Sequence, residues 1–157
     1  MFCSDTSKTL LVVYHSQSGR TELLARDVVA GARNVDTVSV VLAQAAQVNE
    51  EALMNARVLV ICSPEYFGYM AGAIKDLFDR TYERVRDYTT GKPYAVVITA
   101  GNDGSGALQS IERIIRGFRM RKVQDPVMVR GPISPEYRER CRELGHTLAA
   151  GIELGIY

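Results

Sequence analysis

Residues 12–21 read VVYHSQSGRT, an apolar run that gives way to a cluster of hydroxyls around one glycine. Val12, Val13 and Tyr14 continue an apolar run that opens at Thr9, and such a run reads as a buried strand. Ser16, Ser18, Gly19 and Thr21 then read as the opening of a helix, with Ser16 or Ser18 as its cap. A corner of this kind is either an ordinary capped turn or a cradle for an anion. Amides at a helix start carry partial positive charge, and glycine lets the backbone come close to a ligand. There is no G-x-x-x-x-G-K-[ST] and no G-x-G-x-x-G after this strand, so neither a triphosphatase loop nor a dinucleotide fingerprint is present. Arg20 either pairs with an anion or points into solvent. The rest of the chain decides.

Outward from this segment, two kinds of stretch alternate. Apolar, β-branched runs occur at 9–15, 36–42, 57–63 and 93–99, with a weaker one at 122–129, and predict strands of a parallel sheet covered on both faces. Helical stripes lie between them: Leu24, Val28 and Ala32; Ala71, Ile74, Phe78 and Thr81; Leu108, Ile111, Ile115 and Phe118; Cys141, Leu144, Leu148 and Ile152. A shorter helix over 48–56 has Asn49 as its cap. The order βαβαβαβαβα predicts an α/β layer structure with right-handed crossovers, as one domain over 1–157 with 1–8 as an extension. Ligands of such sheets bind beyond the carboxyl ends of the strands, which directs attention to the segments after strands one, three and four.

Bulk properties narrow the function. The formal net charge of the 157 residues is +1, which provides no electrostatic footprint for nucleic acid. Cys3, Cys62 and Cys141 are widely spaced without a C-x-x-C, which argues against a disulfide framework or zinc site and for a reducing cytoplasm. No apolar run has the length of a membrane span, and the start lacks the pattern of a secretory leader. The many arginines between 112 and 142 are interspersed with acids and read as solvated, partly paired helix faces.

The second segment, SPEYFGYMAG (63–72), places Tyr66, Phe67 and Tyr69 between Pro64 and Gly68. Loops are usually polar, so aromatic rings at the ligand edge invite a flat apolar ligand, with at least one ring expected to pack on the core. Cys62 reads as a buried filler. In the third, TAGNDGSGA (99–107), glycines permit close backbone contact while Asn102, Asp103 and Ser105 suit a polar ring edge. An anionic end, a planar body and a polar edge together describe a phosphorylated aromatic cofactor. His15 reads as structural, and no group stands out as a dedicated acid or base.

These segments resemble, in order, the three cofactor loops of the flavodoxin superfamily. VVYHSQSGRT is similar to its phosphate loop, S/T-x-T-G-N-T. SPEYFGYMAGAIKDLFDRT resembles flavodoxin-like NAD(P)H:quinone oxidoreductases, and its PEY the NADPH-dependent FMN reductases. VVITAGNDGSGA is similar to the third loop. The resemblance implies a flavodoxin-like three-layer sandwich, with a five-stranded parallel sheet of order 2-1-3-4-5 and FMN as cofactor. By position, Ser16, Ser18, Gly19, Arg20 and Thr21 would hold the phosphate. Pro64, Glu65, Tyr66, Phe67 and Gly68 would line the isoalloxazine, with Tyr66 or Phe67 against the ring. Thr99, Ala100, Gly101, Asn102, Asp103 and Gly104 would close its other side. Ser18 and Arg20 depart from the family's Thr and Asn, which removes an Asn side-chain contact.

Carrier flavodoxins of this superfamily are strongly acidic, and the long-chain ones have an insertion in strand five. This chain is near neutral and lacks that insertion, which favours a cytoplasmic reductase. Such an enzyme passes electrons from NADH or NADPH through FMN to a quinone, flavin or similar small acceptor. The resemblance also implies a homodimer or homotetramer. The alternatives are a non-enzymatic electron carrier or flavin-binding regulatory module, and a domain that has lost its cofactor and serves interaction alone.

Overall fold

A computed structural model describes residues 7–157. Cys3 and most of the expected N-terminal extension lie outside them. The sheet grows from β1 (Thr9–Tyr14), which pairs in parallel with β2 (Ser39–Gln44) on one side and β3 (Val58–Tyr66) on the other. Beyond β3 runs β5 (Pro93–Ala100), again parallel, after a short antiparallel β4 (Tyr69–Met70) that pairs with β3 alone. The last position is filled by two pieces, β6 (Arg121–Lys122) and β7 (Val127–Arg130), both parallel to β5. Counting these pieces as one strand gives the expected order 2-1-3-4-5.

Both faces of this sheet are buried, which explains the continuous rather than alternating apolar runs. Leu10, Val12 and Tyr14 pack with α1 (Arg20–Ala32) and α5 (Pro135–Glu153). Leu11 and Val13 face the opposite layer, α2 (Glu50–Asn55), α3 (Gly72–Val85) and α4 (Ser105–Gly117). Period-two side-chain alternation sends successive residues of one strand into two separate cores. Of the apolar residues predicted to stripe the four long helices, all are buried except Leu108, which is half-buried. Asn49 caps α2 as expected, its Oδ1 accepting from the Ala52 amide at 2.9 Å.

Three boundaries differ from expectation. The second strand begins at Ser39 rather than 36, after a turn through residues 36 and 37. The fifth is broken between Lys122 and Val127, where Pro126 has no amide to give a ladder. The third runs on past residue 63 and folds back as β4, so much of 63–72 is hairpin rather than loop.

Helices α1 and α5 cross closely because glycine replaces a side chain at both contacts. A Cβ on Gly31 would lie 1.8 Å from the Arg142 carbonyl oxygen, and one on Gly145 1.8 Å from that of Val28. Beside this crossing the buried Asp27 carboxylate accepts from Arg138 Nε at 2.8 Å and Arg142 Nη1 at 3.1 Å. Two members of the arginine-rich segment are therefore structural partners. Among the described residues, no helix is long and apolar enough to cross a membrane.

Candidate functional site

The parallel strands β1, β3 and β5 end at one edge, and the three segments singled out in the sequence meet there. The first turn of α1 is open. Its earliest intrahelical bond runs from the Leu23 amide to the Gly19 carbonyl at 3.0 Å, so the amides of Arg20, Thr21 and Glu22 have no acceptor within the helix. Gly19 occupies the cap position at φ +90°, with nothing within 4 Å of where a Cβ would stand. The expectation that a serine caps this helix is not met. Ser16 Oγ instead accepts from the Gly19 amide at 3.0 Å, folding the corner and leaving its own O–H to donate outward. Ser18 is exposed.

Two candidates in this edge are turned inward. Thr21 and Thr99 are both buried, with their hydroxyl oxygens 2.8 Å apart, which ties the first turn of α1 to the end of β5. Arg20 does not simply point into solvent. Its guanidinium donates to the Gly131 carbonyl, across to the loop that follows β7. The Gly131 amide in turn donates to the Ala100 carbonyl at 2.9 Å, and Arg130 Nε to the Asp103 carbonyl at 2.6 Å. Sequence reading missed this fourth loop because its contacts are long-range and Arg130 looked like one more member of a charged run.

The aromatic segment is a two-residue hairpin. Tyr66 faces Tyr69, and the connecting Phe67 and Gly68 lie at φ +54° and +70°. Positive φ at both positions is what a type I′ turn demands, and Phe is an unusual residue to carry it. Phe67 is fully exposed, whereas Tyr66 packs on the core and meets His15 edge-on, ring centroids 6.1 Å apart. The hairpin is anchored from below. Ser63 Oγ accepts from the Ala71 amide at 3.0 Å and Ser110 Oγ from the Met70 amide at 3.1 Å. Gly106 permits direct contact of α4 with the turn, since a Cβ there would lie 2.1 Å from the Gly68 carbonyl oxygen. Pro64 is buried against Thr99 of β5.

Glu65 fastens this hairpin to the glycine segment. Its two carboxylate oxygens accept from the amides of Gly104 at 3.2 Å and Ala107 at 3.0 Å, so it fills the N-terminus of α4, where the cap residue Gly104 has no side chain. The start of α4 is thus already neutralised, whereas α1 remains open to an anion, as does α3, whose cap Ala71 makes no side-chain bond. Gly101, Asn102 and Asp103 stay exposed, with the Asp103 carboxylate accepting from the Ser105 amide at 3.2 Å. Gly104, at φ +80°, is buried with Met128 Cε 3.0 Å from where a Cβ would stand.

Behind the cradle, bonds from Arg26 and then Tyr14 hold the Glu22 carboxyl below its ordinary range. Burial pushes the Cys62 thiol well up, so it is a filler of the core as expected.

A doubly covered parallel sheet with its loops gathered at one switch-point edge defines a flavodoxin-like protein. The chain belongs to the NADPH-dependent FMN reductase family, whose sequence profile matches residues 9–131. It is 29% identical to a flavodoxin of Aquifex aeolicus (strain VF5), with 94% of this chain and 88% of that protein aligned. A flavodoxin from the domain Archaea superposes with a TM-score of 0.82 at 22% identity, over 92% of this chain and 99% of its own. The flavodoxin, WrbA-like protein from Agrobacterium tumefaciens superposes with a TM-score of 0.77 at 18% identity, over 94% and 99%.

Proposed function

We propose that the chain is an FMN-dependent oxidoreductase of the cytoplasm, which draws electrons from NADH or NADPH and delivers them to a quinone, a flavin or a similar small acceptor. The observation that carries this reading is the open first turn of α1, set beside a hairpin and a glycine loop that Glu65 locks into one unit. The residues present fit the cofactor. In this reading the phosphate takes the first-turn amides of α1 and the hydroxyls of Ser16 and Ser18, and Gly19 leaves the approach clear. Tyr66 and Phe67 flank the ring, while the exposed backbone of Gly101, Asn102 and Asp103 meets its polar edge.

Bound FMN supplies the redox chemistry, accepting hydride from a nicotinamide and giving up electrons to the acceptor. The protein's part is placement. Thr21–Thr99 and Glu65 hold the three segments at fixed separation. One Arg20 nitrogen is taken by the Gly131 carbonyl, which fixes the guanidinium at this edge and leaves its other donors for the phosphate beside the backbone amides and hydroxyls.

The Aquifex relative's name favours a second reading, a carrier reduced only by another protein. Anaerobic mixing of the FMN-loaded protein with NADPH or NADH separates the two. Rapid bleaching of the flavin bands is expected; bleaching only through an added reductase supports the carrier, and no shift of the flavin bands at micromolar FMN ends both readings.

A further inference from the structure

We propose that the groove between α3 and α4 receives the adenine-nucleotide end of the nicotinamide dinucleotide. This rests on the oxidoreductase reading above and adds to it a site outside the three cofactor loops. The groove is a cavity of about 820 Å³, within the range of cofactor sites, and starts at Gly68 and Tyr69 of the hairpin. It is therefore continuous with the edge where the nicotinamide must meet the flavin. From Gly106 to Gly117 along α4 it extends about 16 Å at the helical rise, a span suited to an extended dinucleotide.

The walls match that ligand. Tyr69 and the half-buried Tyr82 supply ring surface, over a floor of the buried Phe78 and Phe118, with Tyr82 and Phe118 edge to face at 5.1 Å between centroids. Flat apolar faces of this kind stack a heteroaromatic base. The polar groups are few and of the right kind. Lys75 is neutralised by Asp79, its Nζ 2.7 Å from Oδ2. Arg113 is exposed and forms no ion pair among the described residues, which leaves its fork for a phosphate. Gln109 and Glu83 offer partners for base and ribose. The two glycines of α4 serve different ends: Gly106 admits the hairpin, and Gly117 leaves room at the far end. A Cβ on Gly117 would meet only Tyr82 Cε2, at 3.8 Å. A larger side chain is accommodated there without moving backbone, and it occupies the groove.

The test uses the FMN-loaded protein and two variants, Gly117→Leu and Arg113→Glu. Rapid-reaction measurement of flavin reduction across NADPH concentrations should show half-saturation raised at least tenfold in both. The limiting rate, the FMN affinity and reduction by dithionite should not change. Unchanged half-saturation in both variants overturns the proposal. A second arm needs no electron transfer. Adenosine 2′,5′-bisphosphate added at millimolar concentration should shift backbone amide resonances of α3 and α4 in the wild type and not in Gly117→Leu. Shifts elsewhere, or none, overturn it even where NADPH fails to bleach the flavin, a result that would remove the oxidoreductase reading on separate grounds. Movement of the same resonances with protein concentration alone assigns the groove to a second copy of the chain and equally overturns it.

Discussion

The carboxylate of Glu65 accepts the backbone amide of Ala107 at 3.0 Å, so a hairpin side chain caps a helix that follows 42 residues later in the chain. Helix caps contribute about 1 kcal/mol, and a charged acceptor shared by two amides lies at the upper part of that range. Glu65→Ala should lower stability by about 1–2 kcal/mol, seen as a fall of about 2–8 °C in melting temperature. It should also weaken FMN binding, because hairpin and glycine loop would no longer share one anchor. Glu65→Gln keeps one acceptor but turns its NH2 toward the second amide, so it should recover only part of both losses. Wild-type melting and affinity in Glu65→Ala would show that the two segments hold their places without it.

Phe67 holds a backbone conformation that suits Asn or Gly, yet presents its whole ring to solvent. Phe67→Asn should relieve about 1 kcal/mol of left-handed strain and raise the melting temperature by about 2–4 °C. If the ring serves the flavin or its substrate, the same change weakens binding of one of them. Thermal melts and FMN titration on one preparation measure both. A variant that gains stability and loses no binding removes Phe67 from the site.

Burial pushes the Cys141 thiol up to about 12 from an ordinary 9.0, and the nearby Asp27 charge acts in the same direction. The folded protein therefore keeps the proton longer than the unfolded chain does. Its contribution to stability is complete below pH 9 and is lost as pH rises from 9 toward 12, at up to about 1 kcal/mol per pH unit. Urea midpoints followed through that window should fall less steeply in Cys141→Ala. Native Cys62 and Cys141 should resist thiol reagents until the protein is unfolded, which peptide mapping reads directly.

Asp27 is a buried acid held by two arginines that are themselves more than a third exposed, so solvent screens part of the attraction. Asp27→Ala should cost about 1–3 kcal/mol in urea unfolding with an unchanged slope, through lost charged hydrogen bonds. FMN affinity should stay as in the wild type, because Asp27 lies in the middle of α1 rather than in its open first turn. A large loss of FMN binding would show that the α1–α5 crossing is coupled to the cradle.

Much of the fold was legible because it follows from local periodicity. The run from Thr9 to Tyr14 is apolar at every position after the first, as burial on two faces requires, and Leu24, Val28 and Ala32 mark the helix that covers it. The hairpin at Phe67–Gly68 is not legible, since Phe-Gly is a poor type I′ signal and the expected strand ends at residue 63, before Pro64. Its register is enforced by Ser63, Ser110 and Gly106, two of which lie about forty residues away. The candidate site residues are chosen by type, which says nothing of their neighbours. Arg20 was read by its place in a motif, but its partner is a carbonyl 111 residues distant. That Glu65 also caps α4 and that Arg130 holds the Asp103 carbonyl are long-range relations no local pattern announces. Residue type announces what a side chain is able to bind, while long-range packing determines what it does bind.

The gap between Lys122 and Val127 bears on more than topology. Had the chain continued as one strand from Arg121 to Arg130, the outer rim of the sheet would present a long, straight ladder to any passing chain. Pro126 and the interruption around it leave a two-residue piece and a four-residue piece instead. Both pieces are short, and short edge strands with basic residues such as the exposed Arg121 are poor templates for a foreign strand. The irregular last strand thus shortens the ladder that this rim of the sheet offers.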